Sequence, residues 1–343
     1  MTKGTDVSMT TQTWAIVGTG QISHTVVPDL QRCEGAEITL VYSRDGLKAQ
    51  EFAAEHGIAA STSDFEAVIN DPLIDVIYLA APISTHVELT RRALTAGKHV
   101  LVEKPMATNA RDAAALFDTA REHHVFLMEG MWMKFNPAFQ HLLQEIRGGR
   151  IGEVTAARAS YGMPFPKEFA SKWDPQRSGG ALLDQGIYPL TFAYCALGAH
   201  SSVAAAGTLL DNGLDTTEHM TVAFTNGTYA QCSSSMVEFM ELTATVSGTR
   251  GWITINSPFW NSADLEIHAD GWEKIISDPA REHFELEGNG YVPMLRAVIG
   301  AIDDGLLEHP LHSADDTIGV FRMIDDVFAS LQAATGRGAA AAH

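Results

Sequence analysis

The chain has 343 residues, a length that favours two domains over one core. A hydrophobic content of 45% with 19% charged residues excludes a disordered polymer. The 23 basic and 42 acidic side chains leave a net charge of -19, so neither nucleic acid nor a membrane surface is an expected partner. An anionic cofactor would have to be met by a few well-placed cations.

Met1 to Gln12 is polar and lacks the apolar core of a signal peptide, so residues 1–12 read as a flexible leader. No apolar run is long enough to span a bilayer. Cys33, Cys195 and Cys232 lie far apart and form no ligand-spaced pair, which fits reduced thiols in a cytoplasmic protein and no metal site.

In chain order, Trp14 to Val17 is a short apolar run stopped by Gly18, and an apolar-periodic stretch from Ile22 to Leu30 follows. Ala36 to Tyr42 reads as a second strand and Asp45 to His56 as a helix closed by Gly57. Ile74 to Ala80 is nearly all apolar, as a strand buried on both faces should be. Val87 to Ala96 (helix), His99 to Val102 (strand), Ala110 to His123 (helix) and Val125 to Met128 (strand) complete the alternation. Strands separated by helices imply a doubly wound parallel sheet.

The turn after the first strand, Gly18-Thr19-Gly20-Gln21-Ile22-Ser23, has the form of a dinucleotide fingerprint with serine at its third small position. Gly18 permits the tight turn, and Gly20 lets the backbone approach a pyrophosphate at the helix N-terminus. The second strand ends Tyr42-Ser43-Arg44, with Lys48 one helical turn beyond Arg44. An NAD site would place a carboxylate there for the ribose hydroxyls, whereas these cations suit the 2′-phosphate of NADP. Asp45 is the contrary carboxylate, and it suits a helix N-cap.

Ala80-Ala81-Pro82-Ile83-Ser84-Thr85-His86 is followed by His99-Val100-Leu101-Val102-Glu103-Lys104-Pro105. Further on come Met128-Glu129-Gly130-Met131-Trp132 and Gly179-Gly180-Ala181-Leu182-Leu183-Asp184-Gln185-Gly186-Ile187-Tyr188-Pro189. Together these resemble the glucose–fructose oxidoreductase and inositol dehydrogenase (Gfo/Idh/MocA) family over nearly the whole chain. Within it they look most like the dimeric dihydrodiol dehydrogenases and NADP-type D-xylose 1-dehydrogenases. The resemblance implies that Lys104 lies beside the nicotinamide, that Pro105 follows a cis peptide, and that Ala81, Pro82, His86 and Glu103 border the cofactor. Asp184 and Tyr188, four residues apart, share a face if Ala181 to Leu197 is a helix, although Pro189 is compatible with a kink there. Hydride transfer from an alcohol carbon needs a group to take the hydroxyl proton. Tyr188 with a nearby Lys104 ammonium would supply it, and Asp184 would orient the hydroxyl or hold Lys104. Trp132, Tyr161, Phe165, Trp173 and Arg177 are weaker expectations for a substrate wall. Arg121-Glu122-His123-His124 caps a helix rather than holding a metal.

The second half is strand-like: Glu153 to Tyr161, Ser202 to Leu210, His219 to Phe224, Thr228 to Ser235, Leu242 to Ser247, Gly251 to Ile255 and Asp264 to Ala269. A closing helix, Thr317 to Leu331, sets Ile318, Phe321, Ile324, Phe328 and Leu331 at helical spacing. The expected fold class is therefore α/β followed by α+β, a Rossmann sheet and then an open, mostly antiparallel sheet with flanking helices. The expected division is a leader (1–12), an NADP-binding Rossmann domain (13–135), an α+β substrate and dimerisation domain (136–335) and a flexible tail (336–343). The resemblance implies a homodimer through the second sheet.

These readings lead to an NADP-dependent oxidoreductase acting on a secondary alcohol or hemiacetal carbon of a sugar, polyol or cyclic diol. The main alternative is a cofactor-binding regulator or sensor of the same fold without the chemistry. Carbon–halogen or glycosidic chemistry with a tightly held NAD is disfavoured by Arg44.

Overall fold

The structure is a computed structural model that describes residues 11–334. Most of the expected leader and all of the expected tail therefore lie outside the described residues. The first sheet contains β1 (Gln12–Val17), β2 (Ala36–Tyr42), β3 (Ala60–Thr62), β4 (Val76–Leu79), β5 (His99–Val102) and β6 (Leu127–Glu129). All pairings are parallel, in the order β3-β2-β1-β4-β5-β6. This is a doubly wound sheet whose order reverses at β1 and β4, where such folds open a crevice at the strands' carboxyl ends. Ala15 to Val17, Val76 to Leu79 and Val100 to Val102 are fully buried, because helices cover both faces of the sheet.

The second sheet contains β7 (Val154–Gly162), β8 (His200–Leu209), β9 (Asp215–Phe224), β10 (Tyr229–Ser235), β11 (Ala244–Gly248), β12 (Gly251–Ile255), β13 (Asp264–His268) and β14 (Ala280–His283). It is antiparallel except where β7 pairs in parallel with β10, in the order β14-β13-β12-β11-β7-β10-β9-β8. Asn226-Gly227 turns the chain between β9 and β10, with Gly227 at φ 82°. The closing helix runs Ala314–Ala334 and packs on β8 and on helix Ala110–Glu122. Its buried seam is Val320, Phe321, Ile324, Val327 and Leu331, so Ile318 and Phe328 stand at its flanks rather than on it.

Several expectations are corrected. Gln12 belongs to β1, not to a leader: its buried side chain donates to Ile299 O (2.9 Å) and to Asp303 Oδ1 (3.0 Å). β3 and helix Phe65–Ile69, too short to show a period, escape the sequence reading, as does the polar edge strand β14. The segment 181–197 is not one α-helix. A π-turn, Leu182–Gly186, precedes α-helix Ile187–Leu197. Pro189 sits in the first turn of that helix, where a missing N–H costs little. Asp45 caps helix Gly46–His56, accepting from Leu47 N and Lys48 N.

Candidate active site

The fingerprint turn is built by contact as much as by local conformation. Gly18 has φ 115°, and a Cβ there would collide with the carbonyl of Ala80. Ser23, fully buried at the third small position, donates its hydroxyl to Gly18 O at 2.8 Å and so ties the first helix to the turn. That helix, Gln21–Leu30, has no side chain capping its N-terminus, and a Cβ on Gly20 would meet nothing within 4 Å. Free N–H groups beside open space at a helix start are the arrangement a pyrophosphate requires. Thr19, Gln21 and Ile22 line the same cleft, as do Ser43, Arg44 and Lys48 at the end of β2. Arg44 and Lys48 are exposed, and neither makes a salt bridge among the described residues.

The cleft has a volume of about 880 Å³ and continues past Ala81, Pro82 and Glu103 to Lys104. Lys104 leaves the end of β5 and is joined to Pro105 by a cis peptide. His86 does not offer a ring nitrogen to the cleft: Nδ1 lies 2.8 Å from Pro105 O and Nε2 2.7 Å from Ala81 O. Burial lowers its pKa, so the neutral ring donates to one of these carbonyls and acts as a brace. The Glu103 carboxylate is likewise turned away, accepting from Tyr78 Oη at 2.7 Å, and burial pushes it up to about 7.

Lys104 reaches across to the second domain. Its Nζ donates to Asp184 O (2.8 Å), lies 3.3 Å from Asp184 Oδ1, and stands 4.9 Å from the centre of the Tyr188 ring. Asp184 Oδ2 accepts from Lys172 Nζ at 2.6 Å. Burial alone would raise Asp184, but the two ammonium groups hold it below the usual carboxylate range. Burial would lower Lys104, yet the acidic groups around it, Tyr188 and Asp184 foremost, raise it above the ordinary lysine value. Tyr188 is raised by burial, with Lys104 and the Trp132 N–H acting in the opposite sense. At neutral pH the centre is thus an ammonium, a carboxylate and a phenol.

Aromatic rings hold the phenol in place. Trp132 Nε1 donates to Tyr188 Oη at 2.9 Å and its ring stacks on Tyr291, centroids 4.2 Å apart. Tyr161 stacks on Trp260 at 3.8 Å, and both rings approach Tyr188. All four line the cleft, and so does exposed Arg177. Phe165 and Trp173 do not, and as substrate walls they are corrected. They pack on Ala181, Leu214 and Met236, where burying two rings against the sheet outweighs exposing them to the cleft.

Lys172, Trp260 and Tyr291 are the residues that sequence reasoning missed. Nothing local marks Lys172 or Trp260. Tyr291 had a fainter signal in Asn289-Gly290: Gly290 has φ 99°, and Trp132 and Asn261 occupy the space that a Cβ would need.

The oxidoreductase family model with an NAD-binding Rossmann fold matches residues 12–131. The GFO/IDH/MocA C-terminal domain model matches residues 139–254. Trans-1,2-dihydrobenzene-1,2-diol dehydrogenase of Mus musculus is 32% identical over 308 residues, covering 87% of this chain and 90% of the relative. The enzyme of that name from Xenopus tropicalis is 29% identical over 322 residues, 93% of this chain and 97% of its own. A 3-ketoreductase from Actinomadura kijaniata, in complex with NADP and TDP-benzene, superposes with a TM-score of 0.82 at 25% identity, covering 93% of this chain and 98% of its own. Levoglucosan dehydrogenase, in complex with NADH and levoglucosan, shares the fold at a TM-score of 0.84 and 19% identity, covering 93% of this chain and 96% of its own.

Proposed function

The chain belongs to the GFO/IDH/MocA oxidoreductase family, and from that membership we propose that it is an NADP-preferring dehydrogenase acting on a secondary alcohol or hemiacetal carbon of a sugar, polyol or cyclic diol. The observation that carries the reading is the meeting of Lys104, Asp184 and Tyr188 across the cleft, at the end of β5 beyond the fingerprint turn. The bound nicotinamide supplies the hydride acceptor in oxidation and the donor in reduction. Tyr188 Oη takes the hydroxyl proton as the C–H bond is lost, either as the phenolate or by passing its own proton on to solvent, and the reverse direction returns a proton by the same route. The Lys104 ammonium stabilises the oxyanion that develops between them. Asp184 keeps Lys104 charged and aimed, and Lys172 neutralises the second oxygen of that carboxylate. Trp132, Tyr161 and Trp260 wall the substrate, a surface on which the apolar face of a sugar or diol ring stacks.

The NADP preference rests on the two cations, Arg44 and Lys48, that border the cleft just beyond β2. Asp45 borders the cleft beside them, but its Oδ1 is engaged by the Leu47 and Lys48 N–H groups at the start of its own helix. Arg44→Ala is expected to raise the KM for NADP by about tenfold or more and to leave that for NAD nearly unchanged, in line with the loss of one charge-assisted phosphate contact. Equal effects on the two would overturn the preference. A panel of aldoses and cyclic diols, followed through nicotinamide absorbance, tests the activity itself. A chain that binds NADPH and turns over none of them would be a sensor of the same fold.

We also infer a cytoplasmic homodimer. Cys33, Cys195 and Cys232 are free thiols, and Tyr229 on β10 is 57% exposed on a sheet whose far face a second copy would cover. Among the described residues no helix is long and apolar enough to cross a membrane.

A further inference from the structure

Behind the π-turn, β9 contributes two carboxyl side chains that the chemistry above does not use. Asp215 is 1% exposed and Glu218 fully buried. Asp215 Oδ2 accepts from Leu182 N at 2.6 Å, and its carboxyl also bonds the Ala181 N–H. No side chain of the turn itself caps its start, so a strand residue distant in sequence does the capping. Gly180, at φ 87°, is required there because a Cβ would collide with the Asp215 carboxyl. The register of β8 against β9 shifts between Thr208 and Leu209, beside Asp215, an irregularity of the kind that turns two residues three apart on a strand to one side.

Glu218 Oε2 accepts from Ser234 Oγ at 2.5 Å, across the β9–β10 pair. Its Oε1 is buried with no donor aimed at it among the described residues. The Asp215 and Glu218 carboxyl groups face each other within hydrogen-bonding reach. Two carboxylates could not form a bond there, because it needs a proton between them. The groups facing the pair are Ser234, the Ala181 and Leu182 N–H groups and the backbone of Asp215, and neither carboxyl forms a salt bridge among the described residues.

We propose that Asp215 and Glu218 share one proton and act as a single capping unit that holds the Leu182–Gly186 turn, and with it Asp184 and Tyr188, in register with Lys104. They are positioning residues: neither lines the cleft. The unit makes the placement depend on pH. Burial raises both carboxyls, and the charge of Asp215 raises Glu218 further. The folded state then retains a proton that the unfolded chain has lost, so stability falls as pH rises above the ordinary carboxylate range.

The idea that Asp184 and Tyr188 serve the reaction comes from the proposed function, so the test has one arm that needs no turnover. The melting temperature of the full chain is measured between roughly pH 5 and 9, a window that spans the titration of a raised carboxyl. Glu218→Gln supplies a permanent N–H toward Asp215 and keeps an oxygen for Ser234, so the alkaline decline is expected to flatten relative to the native chain. An unchanged decline overturns the shared proton. In the second arm Asp215→Ala is expected to lower kcat at least tenfold with an unchanged Kd for NADPH, and Asp215→Asn, which keeps an acceptor for Leu182, to recover most of it. Native kcat in Asp215→Ala overturns the positioning role. If that variant does not fold, Asp215→Asn and the Glu218→Gln melting profile decide.

Discussion

Tyr188 and Lys104 pull each other's proton equilibria in opposite directions. Burial raises the phenol, and the neighbouring ammonium draws it back down only in part. As acceptor of a hydroxyl proton the phenol has to be ionised or relay its proton onward, so the rate of alcohol oxidation is expected to climb as pH rises above neutrality. Tyr188→Phe should lower kcat by about 100-fold or more, the usual scale of acid–base assistance, with Kd for NADPH within about twofold of the native value. Full turnover in that variant would remove Tyr188 from proton transfer. Lys104→Ala deletes the charge that lowers Tyr188, so besides losing rate it should move the alkaline climb to higher pH. A climb that stays in place would mean that the 4.9 Å approach of the two groups carries no coupling. Steady-state profiles in the oxidative direction read both effects.

At the scale of elements, the fingerprint turn and the π-turn solve the same problem by different means. The first exposes N–H groups by having no side-chain cap, whereas the second has its N–H groups capped by Asp215. Gly18 holds the first turn at φ 115° against the Ala80 carbonyl, so Gly18→Ala should cost about 2 kcal/mol or more and weaken NADPH binding, read by chemical denaturation and by titration. Native affinity and stability would mean that the β1 and β4 ends can part without consequence. The Gly18 turn, the buried runs of β1, β4 and β5 and the Glu103-Lys104-Pro105 stop were legible because each is local: a period, a breaker or a strand end. The π-turn was not, since its cap lies on β9, and a 3.6-residue pattern does not reveal a wide turn stabilised from outside. Lys172 and Trp260 were illegible for the same reason, and Tyr291 was marked only faintly by the Asn289-Gly290 that precedes it. Each enters the cleft through contacts with residues remote in sequence, while Phe165 and Trp173, which have the right composition, were drawn into a small apolar cluster instead.

Across the whole molecule, the cofactor half and the substrate half are joined by buried polar contacts at several points. Lys134 pairs with Asp316 at 2.9 Å, and His312 reaches Glu129, whose other oxygen accepts from Met106 N next to the cis-proline. The most economical of these joints is Asp29, fully buried near the end of the first Rossmann helix. Its carboxylate accepts from Asn289 N at 2.9 Å and Tyr291 N at 3.0 Å, so the helix that starts at the fingerprint turn also fixes the loop carrying Tyr291. Tyr291 supports Trp132 by stacking, and Trp132 donates to Tyr188 Oη. Asp29→Ala would leave two backbone donors without their acceptor, a loss of about 2–4 kcal/mol. For a chain of this size that corresponds to a fall in Tm of roughly 3–6 °C. Because the loop then shifts Trp132, kcat should fall severalfold while the KM for NADP, set at the other end of the helix, changes little. Asp29→Asn, which keeps one acceptor oxygen, should lie between the two. A Tm loss with native kcat would confine Asp29 to holding the halves together. The paired loss makes the first helix the element through which cofactor binding and substrate chemistry share one scaffold.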